Sequence, residues 1–170
     1  MTPVGAVVRG LVAGAVGTAT MDAFLFARYR REGGTSSAVE WESSAGVTSW
    51  EEAPAPAHVG KRLVEGLFGI ELPPTRARLV NNVMHWGYGI FNGALYGIVA
   101  ESLPTPPRIG HGLPFGAMVW AGDYVILPAA KLYKPIWEYD AKTLANDLSA
   151  HLVYGLGTAT ALRLLTKTPS

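Results

Sequence analysis

The stretch LVNNVMHWGYGIFNGALYGIVA, residues 79–100, decides the fold. It is 22 residues long and contains no Asp, Glu, Lys or Arg. A helix of this length rises about 33 Å at 1.5 Å per residue, enough to cross a hydrocarbon core of about 30 Å. Because backbone groups in lipid must be satisfied within their own segment, the stretch predicts a transmembrane helix.

Three further apolar stretches have a similar length: residues 4–27, 109–130 and 143–162. The last two carry one charged residue each, Asp123 and Asp147. The apolar part of the first is too long for a cleaved signal peptide, so we expect it to be retained as a span. The sequence thus predicts an all-α, four-helix transmembrane bundle that forms a single domain over residues 1–170.

Composition agrees with this class. Apolar residues make up 49% of the chain and charged residues 16%, against about 25% in soluble domains. The mean hydropathy of +0.20 is modest because residues 28–78 are polar and dilute the four apolar stretches. A soluble helical bundle, the alternative class, would need charged stripes on its helices.

Charge and cysteine content exclude several functions. A formal net charge of +1 leaves no basic face for phosphates, so nucleic acid is not an expected partner. The chain has no cysteine, which removes disulfides, thiolate catalysis and cysteine-based metal centres.

Residues 28–78 form a long first loop, which we expect to face the cytoplasm. Within it, apolar residues recur at helical spacing over residues 57–70, opposite Lys61, Arg62 and Glu65. This pattern predicts an amphipathic helix that lies on the membrane surface or caps the bundle. The apolar positions are Val59, Leu63, Val64, Leu67, Phe68 and Ile70.

The basic residues predict the orientation, because cytoplasmic loops are enriched in Lys and Arg. Loops one and three together hold ten of them, whereas the side with both termini holds four: Arg9, Arg108, Arg163 and Lys167. We therefore expect the two larger loops in the cytoplasm and both termini outside. The ten are Arg28, Arg30, Arg31, Lys61, Arg62, Arg76, Arg78, Lys131, Lys134 and Lys142.

A pattern of glycine, aspartate, histidine and tyrosine occurs twice along the chain. Residues 10–15 and 112–117 share the motif GLxxGA, and an aspartate follows each of them. Residues 85–89 and 151–155 share the motif HxxYG. Two duplicated helical hairpins of the same orientation would explain the order, and chance matching in Gly-rich apolar sequence is the alternative.

Polar residues within the predicted spans follow helical spacing and fall at a similar depth, about 6–13 Å inside the cytoplasmic boundary at 1.5 Å per residue. Interhelical hydrogen bonding is one interpretation of such residues. A cavity that binds an ion, a proton or a small polar ligand is the functional one, because ionisable groups in lipid are costly. The candidate binding residues are Asp22, His85, Asn92, Asp123, Asp147 and His151.

A third interpretation is haem b held between His85 and His151, with nearby glycines making room for the macrocycle. Catalytic motifs for serine hydrolases, zinc proteases or nucleotide-binding enzymes do not occur in the sequence. We therefore expect no enzymatic activity and assign no catalytic or metal-ligating residue.

Glycines spaced by four occur on three predicted spans: at Gly10 and Gly14, at Gly112 and Gly116, and along residues 89–97. Such spacing lets helix backbones approach closely, which predicts packing within the bundle. A remaining glycine face would serve a homo-oligomer or a partner membrane protein. An accessory subunit of a membrane complex is therefore the alternative function.

The chain resembles the YagU-like family of uncharacterised four-span bacterial inner-membrane proteins. The resemblance rests on the glycine-rich start of the first span, Gly10 to Gly14, and on the last span. There, Asp147 stands four residues before His151-Leu152-Val153-Tyr154, and an interfacial Trp137 precedes both. The resemblance implies four spans and a location in the bacterial plasma membrane, and it implies no established activity.

Overall fold

The structure, a computed structural model, describes residues 2–104 and 108–167 and is all-helical over those ranges, as the sequence predicted. Four long helices coincide with the four apolar stretches, and two shorter ones lie in the first loop. Single 3₁₀ turns precede α4, α5 and α6. The helices are α1 (Pro3–Arg31), α2 (Ala38–Glu42), α3 (Ala55–Phe68), α4 (Ala77–Ser102), α5 (Gly112–Ala129) and α6 (Ala141–Thr166).

The four long helices run alternately up and down, with α1 packed between α4 and α6 and with α5 packed against α6. Two side-chain contacts join α5 to α4: the rings of Tyr96 and Phe115 lie 4.5 Å apart, and Tyr88 donates to Asp123 over 2.8 Å. Because side chains rather than close backbones bridge α4 and α5, a space remains between them inside the bundle.

Glycines set the closest helix crossings. A Cβ on Gly97 of α4 would lie 2.6 Å from the carbonyl oxygen of Ala6 and 2.8 Å from the Cα of Gly10 on α1. A Cβ on Gly155 of α6 would meet the backbone of Gly112 and Gly116 on α5 in the same way. The predicted glycine motifs are therefore used within the chain, as close backbone contacts between neighbouring helices.

The interior of the bundle is built from small, aromatic and polar residues. The largest fully buried side chains are Leu162, Thr18 and Thr158. Large aliphatic residues, which soluble proteins place inside, are instead exposed along the outer faces of the long helices. They include Val4, Val8, Val12 and Val16 of α1, Val83, Leu95 and Val99 of α4, Met118 and Val125 of α5, and Leu164 of α6.

The amphipathic helix predicted over residues 57–70 is confirmed as a helix, α3, which ends where Gly69 adopts a left-handed backbone with φ of +64°. Its Gly60 faces α4, since a Cβ there would lie 2.6 Å from the Cγ of Met84. Leu67 and Phe68, at the far end of α3, are 74% and 70% exposed. The helix thus packs on the bundle at one end and leaves an apolar surface at the other.

α2, which begins at Ala38 shortly after the end of α1, was not predicted from the sequence. Ser37 and Glu40 make a reciprocal capping box, in which each side chain accepts a hydrogen bond from the other residue's backbone N–H. After α2, the chain is anchored by Trp50, which packs with Ala57 and Ala77 and donates to the carbonyl of Leu72 over 3.2 Å. The first loop is therefore a folded cap over one end of the bundle.

Judged by length and hydropathy alone, one helix of the described residues qualifies as a membrane span, α1. The other three long helices do not reach that level of hydropathy, since Gly, Asn, His, Tyr and Trp lower their average. One such helix, near the N-terminus, is weak evidence by itself. The four-span arrangement therefore stays a prediction.

Candidate functional site

The first Asp/His pair joins α1 to α4. The Nε2 of His85 lies 2.9 Å and 3.1 Å from the two carboxylate oxygens of Asp22. Asp22 is buried, with 5% of its surface exposed. An imidazole donor therefore satisfies a carboxylate that would otherwise be costly to bury.

The second Asp/His cluster joins α5 to α6. The Nε2 of His151 lies 3.3 Å from an oxygen of Asp123, and its Nδ1 lies 2.9 Å from the carbonyl oxygen of Asp147. The carboxylate of Asp147 is 3.6 Å from the same Nδ1. Both ring nitrogens thus face oxygen acceptors, which requires either an imidazolium or a proton on Asp123.

These two clusters follow the sequence repeat, because each histidine pairs with the aspartate of its own predicted hairpin. Two tyrosines of the HxxYG motifs then connect the hairpins. Tyr88 donates to Asp123, and the hydroxyl of Tyr154 donates to the carbonyl of Gly89 over 2.6 Å. The tyrosine contacts differ from each other, so the correspondence holds for the Asp/His pairs and not for every residue.

The space between α4 and α5 is a cavity of about 330 Å³, which we call the inner cavity. Its lining is mostly apolar, as is usual for small-molecule sites, with a few convergent polar groups. Ala55, Pro56 and Val59 of α3 cover one end of it. Among the described residues, no lysine or arginine lines the inner cavity. The polar lining residues are Thr18, His85, Tyr88, Asp123, Tyr133, Asp147, His151 and Tyr154.

Tyr133 lies in the loop after α5 and lines the same cavity. Burial, together with the nearby charges of Asp147 and Asp123, raises the pKa of Tyr133 to about 12. Its phenol is therefore neutral at physiological pH and keeps its proton as a hydrogen-bond donor.

A second cavity, of about 480 Å³, lies between the end of α1, the start of α4 and the loop around α2, and we call it the outer cavity. Asp22 lines the outer cavity, whereas His85 lines both. The Asp22–His85 pair therefore stands in the wall between the two spaces.

The structure brings five of the six predicted binding residues to these two cavities. Asp123, Asp147 and His151 line the inner one, and Asp22 and His85 form the wall. The sixth, Asn92, lines neither cavity, and its amide donates to the carbonyl of Tyr88 one turn earlier on α4. Its position on the polar face of α4 therefore reflects a local hydrogen bond.

The haem interpretation does not fit this arrangement. A bis-histidine haem needs an imidazole nitrogen of each histidine free to reach the iron. Here Nε2 of His85 and Nε2 of His151 each face a carboxylate, and Nδ1 of His151 faces the carbonyl of Asp147. Among the described residues, no group of three or more His, Asp or Glu side chains is placed to hold a metal ion.

Two functional candidates were missed by sequence reasoning. Glu42 is the last residue of α2, accepts a hydrogen bond from the indole of Trp86 over 2.9 Å and approaches Asp22. Burial raises the pKa of Glu42, and the Asp22 charge raises it further. Tyr133 is the other. Glu42 ends a helix of five residues and Tyr133 lies in a loop, and neither segment is long enough or regular enough for periodicity to carry a signal.

The model of the DUF6789 family, which is described as a family of unknown function, matches residues 66–170 of the chain. The chain belongs to this family. The DUF6789 match spans α4, α5 and α6 and contains His85, Asp123, Asp147 and His151, whereas Asp22 precedes it. Neither the comparison with curated proteins nor that with solved structures returned a match. Kinship with the YagU-like family stays a prediction.

Proposed function

We propose that this protein is a four-span membrane protein of the bacterial plasma membrane whose inner cavity binds a proton or a small polar ligand. The membrane part rests on the distribution of side chains. Valine, leucine and phenylalanine cover the outer faces of the long helices, while Thr18, Asp22, Asn81 and Thr158 are buried inside. In water this arrangement would expose apolar surface on all sides of the bundle, whereas in lipid that surface is solvated.

Charges on the long helices support the same view, because they lie at helix ends or are paired. Arg9 of α1 donates two hydrogen bonds to the carboxylate of Glu101 at the end of α4. At the opposite end, Arg28 of α1 donates to Ser149 over 2.8 Å and to the carbonyl of Asn146. Paired or terminal placement is how membrane helices accommodate charges.

Exposed Leu67, Phe68 and Ile70 at the end of α3 give the cap an apolar edge beside the bundle. An amphipathic helix with such an edge and with Lys61 and Arg62 on its other faces suits the lipid headgroup region. The cap, α2 and most of the basic residues then share the cytoplasmic side.

The chain has no native cysteine, so single cysteines test the topology without background. We expect Thr2→Cys and Lys167→Cys to react with a membrane-impermeant maleimide from the outside of spheroplasts. Glu51→Cys and Glu138→Cys should react only after lysis. Recovery of the protein in the soluble fraction, or labelling of all four from outside, would refute the four-span topology.

The binding part of the proposal rests on one observation: two carboxylates and two imidazoles from three helices, α4, α5 and α6, meet at one mostly apolar cavity. With no lysine or arginine in its lining, the cavity favours a proton, a cation or a hydrogen-bond donor over an anion. Histidine exchanges protons near neutral pH, so the cavity is suited to proton-linked binding.

Proton binding is measurable by NMR of histidine-labelled protein in lipid nanodiscs. We expect the titration midpoint of His151 to change in Asp123→Asn, since the adjacent carboxylate that faces its Nε2 is removed. His111 lies outside both cavities and provides the control, because its midpoint should not respond. If His151 titrates identically in the wild type and in Asp123→Asn, the carboxylate of Asp123 does not influence the protonation of His151, and the proposal fails.

A further inference from the structure

The outer cavity has a strongly negative lining. Four carboxylates line it, and neither lysine nor arginine does. The nearest basic side chain on that part of α4, Arg78, is instead bound to Ser43 and lies outside the lining. Among the residues that the structure describes, His85 is the one basic group in the wall, and it is hydrogen-bonded to Asp22. The four carboxylates belong to Asp22, Glu40, Glu42 and Glu52.

Neutral donors hold three of these carboxylates in place without cancelling their charge. Glu40 accepts from Ser37, Glu52 accepts from Thr48 over 2.8 Å, and Glu42 accepts from Trp86. The hydrogen bonds to Glu40 and Glu52 lower the pKa of each, so both are ionised at neutral pH. The outer cavity therefore has a net negative charge, which favours a positively charged ligand.

Aromatic rings form part of the same wall. Tyr29 and Trp41 line the cavity, and Phe26 packs behind them with its ring 5.6 Å from that of Trp41. Tyrosine and tryptophan faces attract organic cations, and no lysine or arginine is stacked on either ring in the described part of the chain. Carboxylates beside aromatic rings favour an ammonium group over a bare metal ion.

An unpaired buried atom adds an independent indication. Asn81 lines the cavity, is 6% exposed and donates through its amide nitrogen to the hydroxyl of Ser44 over 3.0 Å. Its side-chain oxygen has no hydrogen-bond partner. Buried polar atoms are normally paired, so an unpaired acceptor on a residue that lines a cavity points to a ligand that donates a hydrogen bond.

We propose that the outer cavity is a binding site for a protonated organic amine, an ammonium group with N–H donors on an aliphatic chain. The carboxylates supply charge, Tyr29 and Trp41 supply an aromatic surface, and the oxygen of Asn81 accepts an N–H. The volume of about 480 Å³ is within the range of small-molecule sites. The outer cavity shares three lining residues with the inner cavity: Leu25, Pro56 and His85.

Calorimetric titration of the full-length protein in zwitterionic nanodiscs tests the site. The probe is 1,4-diaminobutane, with 1,4-butanediol as an uncharged molecule of the same chain length. The diamine should bind and the diol should not. Glu42→Gln should weaken diamine binding about tenfold, the order expected for one charge-assisted hydrogen bond. Glu51→Gln, a neighbouring carboxylate outside the cavity, should leave it unchanged.

Two further comparisons identify which groups recognise the amine. Asn81→Leu should weaken the diamine but not tetramethylammonium, which has no N–H to donate. Trp41→Leu should weaken both, and Trp41→Phe should restore binding if the ring rather than local folding matters. If potassium competes as well as the diamine, or if Glu51→Gln weakens binding as much as Glu42→Gln, the site is only diffuse surface charge and the proposal is overturned.

Discussion

The crossing of α1 and α4 predicts a large effect for one methyl group. In Gly97→Ala the new Cβ would lie 2.8 Å from the Cα of Gly10 and 2.6 Å from the carbonyl oxygen of Ala6. Carbon atoms in contact lie about 3.5–4.0 Å apart, so the two backbones must separate by roughly 0.7–1.2 Å. Both obstructing groups are backbone atoms, and no side-chain rotation relieves the overlap.

Overpacking of this kind costs about 1–3 kcal/mol. We expect Gly97→Ala to lower the free energy of unfolding by that amount in mixed detergent micelles, followed by circular dichroism. Gly87→Ala is the matched control, because Gly87 is on the same helix and a Cβ there meets no atom within 4 Å. Equal stability of the two variants would show that the glycine crossing is not the close contact described above.

Other substitutions test the charged groups. Arg9→Ala removes the partner of Glu101, whose side chain is 3% exposed, so it should lower the melting temperature more than Lys61→Ala, which loses an exposed pair at 4.0 Å. A similar loss in both variants would contradict this. The raised pKa of Glu42 means that the wild type loses stability as pH rises from the unfolded value, about 4.3, through the native value. Glu42→Gln should abolish that loss, so its melting temperature should match the wild type at pH 4 and exceed it at pH 7.5. No difference at pH 7.5 would contradict the partial burial of Glu42 beside Asp22.

Periodicity and length were sufficient to place the main helices. The apolar stretch at residues 79–100 lies within α4. The helical spacing of apolar residues over residues 57–70 corresponds to α3, which begins and ends two residues earlier. Both patterns are local, so a single sequence contains them. Whether lipid surrounds the long helices is not a local property, and hydropathy averages do not decide it, because polar residues that face inward lower the mean.

The candidate site was predictable where it depends on helix faces. His85 of α4, one of the predicted binding residues, lines the inner cavity, and so does Tyr88 three residues later. Asn92 is on the same helix, but it bonds to the backbone of that helix. Spacing fixes a residue's angle on the helix and not the direction in which its side chain turns.

The pairing of Asp22 with His85 and the outer cavity were beyond a single sequence, because they depend on how distant segments meet. Glu42 reaches Asp22 from a loop 20 residues later, and nothing in its neighbourhood marks it. One local signal was available: Ser37 and Glu40 have the spacing of a capping box, which predicts the start of α2.

The position of the Asp22–His85 pair has a thermodynamic consequence. The carboxylate of Asp22 is hydrogen-bonded to His85 and also lines the negatively charged outer cavity. A cation bound beside Asp22 would therefore compete with His85 for the same carboxylate oxygens. Thermodynamic linkage is reciprocal. If a cation bound in the outer cavity changes the proton affinity of the inner cavity, protonation of the inner cavity changes the affinity for that cation by the same free energy. Occupancy of the two cavities would therefore be coupled through the Asp22–His85 pair, whose imidazole lines both.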